Sequence, residues 1–427
     1  MAEEKKLFGM PAEKGRWMLV FFGFLINLCL GSVYNYGLIR NSVETEFGVK
    51  ALMSLLPNGI ALGFFAGIFP FSGRILERIG PRKLGIIGGI VLGAGWIGAH
   101  FSGNIATFIL TYGVIAGCGV GLCYSGPIAV AGRWFPERKG LAVGLTVAGF
   151  GGSPVVGAQI IKRLLGSYGL LDTVLYLGIA FLVLTVLFAF FLEFPRPGWK
   201  PAGWNPPPAA AASSSVSYNS SAMVKTASFW GLFLCFAIGS LAGLMVINMA
   251  GTLATKPLLR DGVAVLYAAG TATILTQIFG LFNGGGRPLF GFITDRVGAR
   301  KAAMATFVII LLASVGMLSM VWTKHLNGGV YIASIGALWL SLGGWLAIAP
   351  ATTTAYFGAQ YSARNYGIML LAYGVGAVAG VFIAGYAKDI FGLYLYAFYP
   401  TAVLAVVGFI MAWFLLKPPK KTEAPQK

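Results

Sequence analysis

Charge is what this sequence has least of. Only 10% of its residues are charged, against about 25% in an average soluble domain. Thirteen are acidic and two are histidine. Four cysteines, Cys29, Cys118, Cys123 and Cys235, all fall inside apolar runs without metal-ligand spacing. They read as packing residues, and neither a metal nor a cofactor is expected. No nucleophile–base set, metal motif or phosphate loop appears within the apolar runs, which argues against an enzyme. What is abundant is apolar surface: 57% of the 427 residues are hydrophobic, the mean hydropathy is +0.79, and there are 61 glycines. These values set a membrane class, in which small residues let helices approach closely. The formal net charge of +18 does not point to nucleic acid, because Lys and Arg sit in short clusters between apolar runs and not on one soluble face.

A spanning helix needs ~20 apolar residues. Twelve such runs are expected at 17–39, 51–72, 83–101, 104–132, 140–161, 170–193, 227–250, 265–293, 301–322, 328–352, 365–387 and 394–416. The expected fold is therefore an all-α membrane protein, with twelve transmembrane helices in two pseudo-symmetric six-helix bundles. Residues 1–193 form the first bundle, 194–226 a Pro-, Ala- and Ser-rich cytoplasmic linker, and 227–427 the second bundle with a short cytoplasmic tail. Most of the 31 Lys and Arg fall on one side of this arrangement, which predicts that both termini are cytoplasmic in a multi-pass cell-membrane (inner-membrane) protein, with lipids as partners. The polar start leads straight into a full-length apolar run, so no cleavable signal is expected.

The two halves repeat. Gly73, Glu77, Arg78, Gly80, Arg82 and Lys83 follow the second run; Gly291, Asp295, Arg296, Gly298, Arg300 and Lys301 follow the eighth at one constant offset. Pro70 and Pro288 match at the same offset. Repeated halves suit a carrier in which one bundle rocks against the other around a central site. Glu77, Arg78, Asp295 and Arg296 are candidate latch residues, since an acid at a helix end gains or loses a cationic or helix-terminal partner as the halves move. The basic residues of the same loops also hold orientation.

Every acidic residue lies at a run end, in a loop or in a tail. Arg287 is the exception among charges. It stands eight residues before Asp295, about 12 Å inside the helix end, in a hydrocarbon core roughly 30 Å thick. An Arg at mid-membrane costs at least ~2.5–3.5 kcal/mol. No protein carboxylate is placed to pair with it, so a bound anion is the candidate partner; a structural Arg bonded to helix carbonyls is the alternative. Asn283, one helical turn away, shares its face, and Thr276 and Gly280 continue the stripe. Tyr34 on the first run, Tyr124 on the fourth and Tyr373 on the eleventh are further candidates to offer hydroxyls to a carboxylate, with core packing or an interfacial belt as the alternative.

The stretches Arg133–Gly140, Asn283–Pro288 and Tyr361–Gly367, together with the paired loops, resemble the oxalate:formate antiporter and monocarboxylate transporter branch of the major facilitator superfamily. The resemblance implies that Arg287 binds the substrate carboxylate. In the antiporter pattern a second cation follows the third stretch, where this chain has Tyr373; Leu342 and Leu370 stand where that pattern has tryptophans. The animal monocarboxylate carriers have an Asp where this chain has Asn283, and a first-span Lys that this chain lacks. One cation suits a monoanion. The expected function is transport of a small monocarboxylate such as lactate or pyruvate, coupled to a proton. Carboxylate exchange is the runner-up, and a carboxylate sensor that kept the carrier fold is the reading from another class.

Overall fold

A computed structural model of the chain describes residues 6–196, 198–202, 217–253, 269–325, 327–358 and 360–419. Helix dominates, and the described strand is one short antiparallel hairpin, Lys6–Leu7 with Met10–Pro11. A long apolar segment in lipid has no water to satisfy its amides, so it must close its hydrogen bonds internally as helix. In chain order the helices are α1 (Ala12–Leu30), α2 (Tyr36–Glu46), α3 (Ala51–His100), α4 (Ile105–Phe108), α5 (Gly117–Trp134), α6 (Lys139–Phe190), α7 (Ser220–Met223), α8 (Ala227–Leu253), α9 (Ala269–Val297), α10 (Ala299–Trp322), α11 (Gly328–Phe357), α12 (Ser362–Met369), α13 (Leu371–Phe391) and α14 (Phe398–Leu415). A 3₁₀ turn, Gly31–Asn35, joins α1 to α2, and π-helical turns at Ile109–Ala116 join α4 to α5.

Among the described residues, nine helical segments are long and apolar enough to cross a membrane. Two of them are too long for a single crossing, and each breaks at one glycine. Gly80 (φ 81°) divides α3 and Gly169 (φ 75°) divides α6, conformations that a side chain with a Cβ resists. Gly298, the repeat partner of Gly80, takes nearly the same backbone angles ahead of α10 (φ 83°, ψ 158° against φ 81°, ψ 168°). The sequence repeat is thus also a backbone repeat.

Within residues 12–190, α3 packs on α5 and α6, and α1 packs on α5 and α6. Within residues 227–415, α11 packs on α8, α9 and α10, α13 on α8, and α14 on α8 and α10. These two sets meet along α3 with α13 and α6 with α9, where small residues bring the backbones together. An added Cβ at Gly374 would lie 2.7 Å from Ala66, and one at Gly280 would lie 3.2 Å from Pro154. Large apolar side chains such as Phe71, Leu312, Val403 and Phe414 face outward, as a lipid solvent requires.

Between the halves, 203–216 lies outside the described residues. The described ends of the expected linker are anchored. The Ala202 amide donates to Glu13 at 2.7 Å, and Trp199 packs on Trp134. Tyr218 exchanges backbone and side-chain hydrogen bonds with Phe357 and Asn365.

Candidate functional site

Arg287 sits on α9 with Pro288 behind it, and its helix is pressed against α11 by glycines. A Cβ on Gly343 would fall 2.1 Å from the Asn283 carbonyl oxygen, and one on Gly286 2.3 Å from that of Leu340. This contact fixes where Asn283 and Arg287 point. Arg287 is 8% exposed. Its Nη1 donates to the Val147 carbonyl on α6 at 2.8 Å, and its Nη2 to Asn283 Oδ1 at 3.3 Å. Its Nε is buried without a hydrogen-bond partner. Among the described residues no carboxylate pairs with it. A buried donor left unmade costs about 1–3 kcal/mol, more when charged, so this nitrogen is poised for an acceptor.

Asn283 is fully buried, and both ends of its amide are engaged: Oδ1 by Arg287, and Nδ2 by the Trp339 carbonyl on α11 at 3.3 Å. It orients the guanidinium. Opposite stands Gly151 of α6, where a Cβ would lie 2.9 Å from Asn283 Oδ1 and 3.3 Å from Arg287 Nη2. Only a glycine lets α6 come this close.

The predicted tyrosines converge on the same place. The Tyr34 and Tyr373 hydroxyls bond each other at 2.9 Å, joining the 3₁₀ turn after α1 to α13. Tyr124 lies in an aromatic nest of Phe65, Phe69 and Phe150, with ring centroids 5.2–5.7 Å away. Tyr34, Tyr124 and Tyr373 all lie within electrostatic range of Arg287. So does Tyr366, which belongs to the Tyr361–Gly367 stretch but is not among the candidates that the sequence singles out. Trp339 packs near Tyr34 at 6.2 Å. Leu342 and Leu370 are buried apolar residues, so no tryptophan crowds those two places. The site is rich in donors and aromatic faces and poor in negative charge. This suits a small organic anion with an apolar body.

On the same stripe as Arg287, Gly280 abuts Pro154 and the Gly151 carbonyl; on α1, the buried Asn27 donates to its own helix at Gly23. The latch candidates are not gathered. Glu77 pairs with Arg133 of its own half, Arg78, Asp295 and Arg296 are exposed, and Arg296 covers the Phe292 ring at 4.2 Å. Among the described residues no cluster of three potential metal ligands exists.

Arg287 is not alone among buried cations. Arg40 is 1% exposed and pairs with Glu44 at 2.9 Å, and Arg16 is buried between Glu13 and Glu137. Both stand near helix ends with carboxylates beside them. Arg287 differs in having none among the described residues.

A family model described as Major Facilitator Superfamily matches residues 20–359. The oxalate:formate antiporter of Oxalobacter formigenes is 29% identical over 403 residues, which cover 94% of this chain and 91% of the relative. Monocarboxylate transporter 14 of Homo sapiens is 24% identical over 471 residues, covering 94% of this chain and 90% of the relative. An uncharacterized MFS-type transporter of Escherichia coli is 25% identical over 369 residues, covering 86% and 87%.

Proposed function

The chain belongs to the Major Facilitator Superfamily, a multi-pass membrane transporter and not an enzyme, and from that premise we propose that it carries small monocarboxylates of the lactate and pyruvate type by alternating access. The observation that carries this reading is the Arg287 Nε, a buried charged donor with no acceptor, beside two occupied nitrogens and no described carboxylate. A guanidinium fork and a carboxylate are complementary, so the substrate carboxylate is the acceptor that completes the site. The tyrosine hydroxyls and the rings of Phe65, Phe150 and Trp339 surround the rest of the molecule. Tyr373 is neutral and hydrogen-bonded to Tyr34, so a second carboxylate has no cation to meet there. Residues 1–193 and 227–427 act as the two rocking units, with both termini in the cytoplasm, a reading that rests on the basic loop clusters and the backbone repeat. Uptake of labelled lactate into proteoliposomes tests the proposal, with unlabelled acids as competitors. Lactate, pyruvate and similar monoanions compete and oxalate competes poorly; tight oxalate competition with weak lactate competition overturns it.

The favoured coupling is proton symport. Carboxylate exchange is supported by a separate observation: Arg287 on one half bonds the Val147 carbonyl on the other, so this bond itself ties the halves together. A carrier that must load substrate before it can release that tie moves only when loaded, as an exchanger does.

A further inference from the structure

The latch expected at the Glu77 and Asp295 loops has a counterpart at the other end of the helices. Ala51 begins α3, and Glu77 lies 26 residues further along the same first arm of α3, about 39 Å away. At the Ala51 end, three polar ties cross from residues 36–112 to residues 248–394. In the outermost, Arg40 Nη1 donates to the Tyr394 hydroxyl at 2.5 Å and to Ser54 Oγ at 3.1 Å, with its guanidinium carbon 5.2 Å from the Tyr394 ring centre. Beside it, Asp389 of α13 accepts from the Ala51 and Leu52 amides at 3.1 and 3.0 Å. Lys50, at the N-cap position of α3, makes no side-chain cap of its own, so the first turn of α3 is capped from the other half. Deeper, Asn58 Nδ2 donates to Asn248 Oδ1 at 2.6 Å; Tyr112 donates to Asn58 Oδ1, and Asn248 Nδ2 to the Leu244 carbonyl. Asn58 and Asn248 are both buried.

We propose that Arg40–Tyr394, Asp389 on the N-terminus of α3, and Asn58–Asn248 form one gate that closes the central site from the Arg40 face, and that opening to this face breaks all three together. Each tie has one partner on each half, so relative rotation of the halves separates every pair. Each is also a bond that water replaces on opening. Arg40 keeps Glu44 and Ser54, both on its own half, so its charge is never left bare. The first amides of α3 can be hydrated once Asp389 withdraws. At the Glu77 end the halves meet differently, through Phe69 on Tyr366 and Gly367 on Pro70, contacts that carry no charge. The gate on the Arg40 face is therefore the polar one, and its strength sets how long the carrier rests closed on that side.

The inference rests on the transport reading, and its test reads conformation, not flux. Spin labels at exposed Thr45 and His325 report the Arg40 face, and labels at exposed Arg138 and Arg364 report the other. In the otherwise unaltered full chain in nanodiscs, Tyr394→Phe and Asp389→Ala each lengthen the Thr45–His325 distance in a larger fraction of molecules. The equilibrium shifts about tenfold, as loss of one charge-assisted hydrogen bond implies. The Arg138–Arg364 distance shortens in parallel. Asn248→Leu shifts the same equilibrium without removing any charge. Unchanged distances in all three variants, with only a fall in melting temperature, overturn the proposal and leave the ties structural. A wild type that takes up no carboxylate, but whose distances still shift in the variants, defeats the transport reading and leaves the gate standing.

Discussion

Arg287 uses two of its nitrogens on protein oxygens while its buried Nε has no hydrogen-bond partner, so on the proposed reading its geometry is what the carboxylate meets. Lysine keeps the charge and loses the fork. Arg287→Lys is expected to lower uptake at least ~tenfold, because one charge-assisted hydrogen bond is worth about 1.5–3 kcal/mol. Arg287→Ala is expected to abolish it; near-normal uptake by correctly inserted Arg287→Ala protein removes the site assignment. Asn283→Ala deletes a long charge-assisted bond from the guanidinium, at 3.3 Å, and lets the guanidinium wander. A loss of roughly two- to tenfold in apparent affinity, with little change in maximal rate, is the expected outcome in a concentration series. These two residues were legible in the sequence because a charge in the middle of an apolar run has few explanations. The Val147 carbonyl was not legible, since a backbone oxygen has no letter of its own. Tyr366 was hidden by its place near a run end, where an aromatic reads as an interfacial anchor. Arg40 was hidden similarly: position in the chain gave it to a loop, and only packing shows it buried.

Helices carry these residues to one another, and glycine decides how near they come. Gly343 touches the backbone of α9 beside Asn283, whereas a Cβ on Gly284 meets nothing within 4 Å. Gly343→Ala is therefore expected to destabilise the protein by about 1–3 kcal/mol and to lower uptake, because α9 must retreat from α11. Gly284→Ala is expected to leave the melting temperature almost unchanged, and thermal melts of the two variants side by side check the contrast. If both behave alike, the close helix contact does not position the site. The apolar runs located nearly all of these helices, since length and hydropathy are what a bilayer imposes. The short polar stretches between runs misled in one respect. Residues 73–82 read as a loop, yet they remain helical apart from Gly80, because charged residues form helix readily once outside the hydrocarbon. The paired motif announced the repeat, but the shared left-handed glycine that makes it geometric appears only in the backbone angles.

At the scale of the whole molecule, the cycle needs something to drive it. Coupling to a proton ordinarily needs a titratable group reached from both sides, and among the described residues no Asp, Glu or His pairs with Arg287. An arginine guanidinium stays protonated across the physiological range, and an asparagine does not titrate. On the proposed symport reading the substrate itself carries the proton. A small carboxylic acid, which in water gives up its proton near about pH 4, is almost wholly ionised at neutral pH. It would therefore arrive as the anion that the proposed Arg287 site binds. Closing the site removes water and raises the carboxyl pKa, while the adjacent guanidinium lowers it. Symport follows if desolvation prevails, and exchange follows if the ion pair persists. The Arg287–Val147 tie pushes the balance in a second way, by holding the halves together until an anion competes for the guanidinium. Proton symport predicts that an inward proton gradient accumulates labelled lactate in vesicles with no acid inside, and that Asn283→Ala keeps this pH dependence while weakening binding. If accumulation survives collapse of the gradient and instead requires an unlabelled carboxylate inside the vesicle, the protein is an exchanger. Arg287 then waits on the Val147 carbonyl until the next anion takes it away.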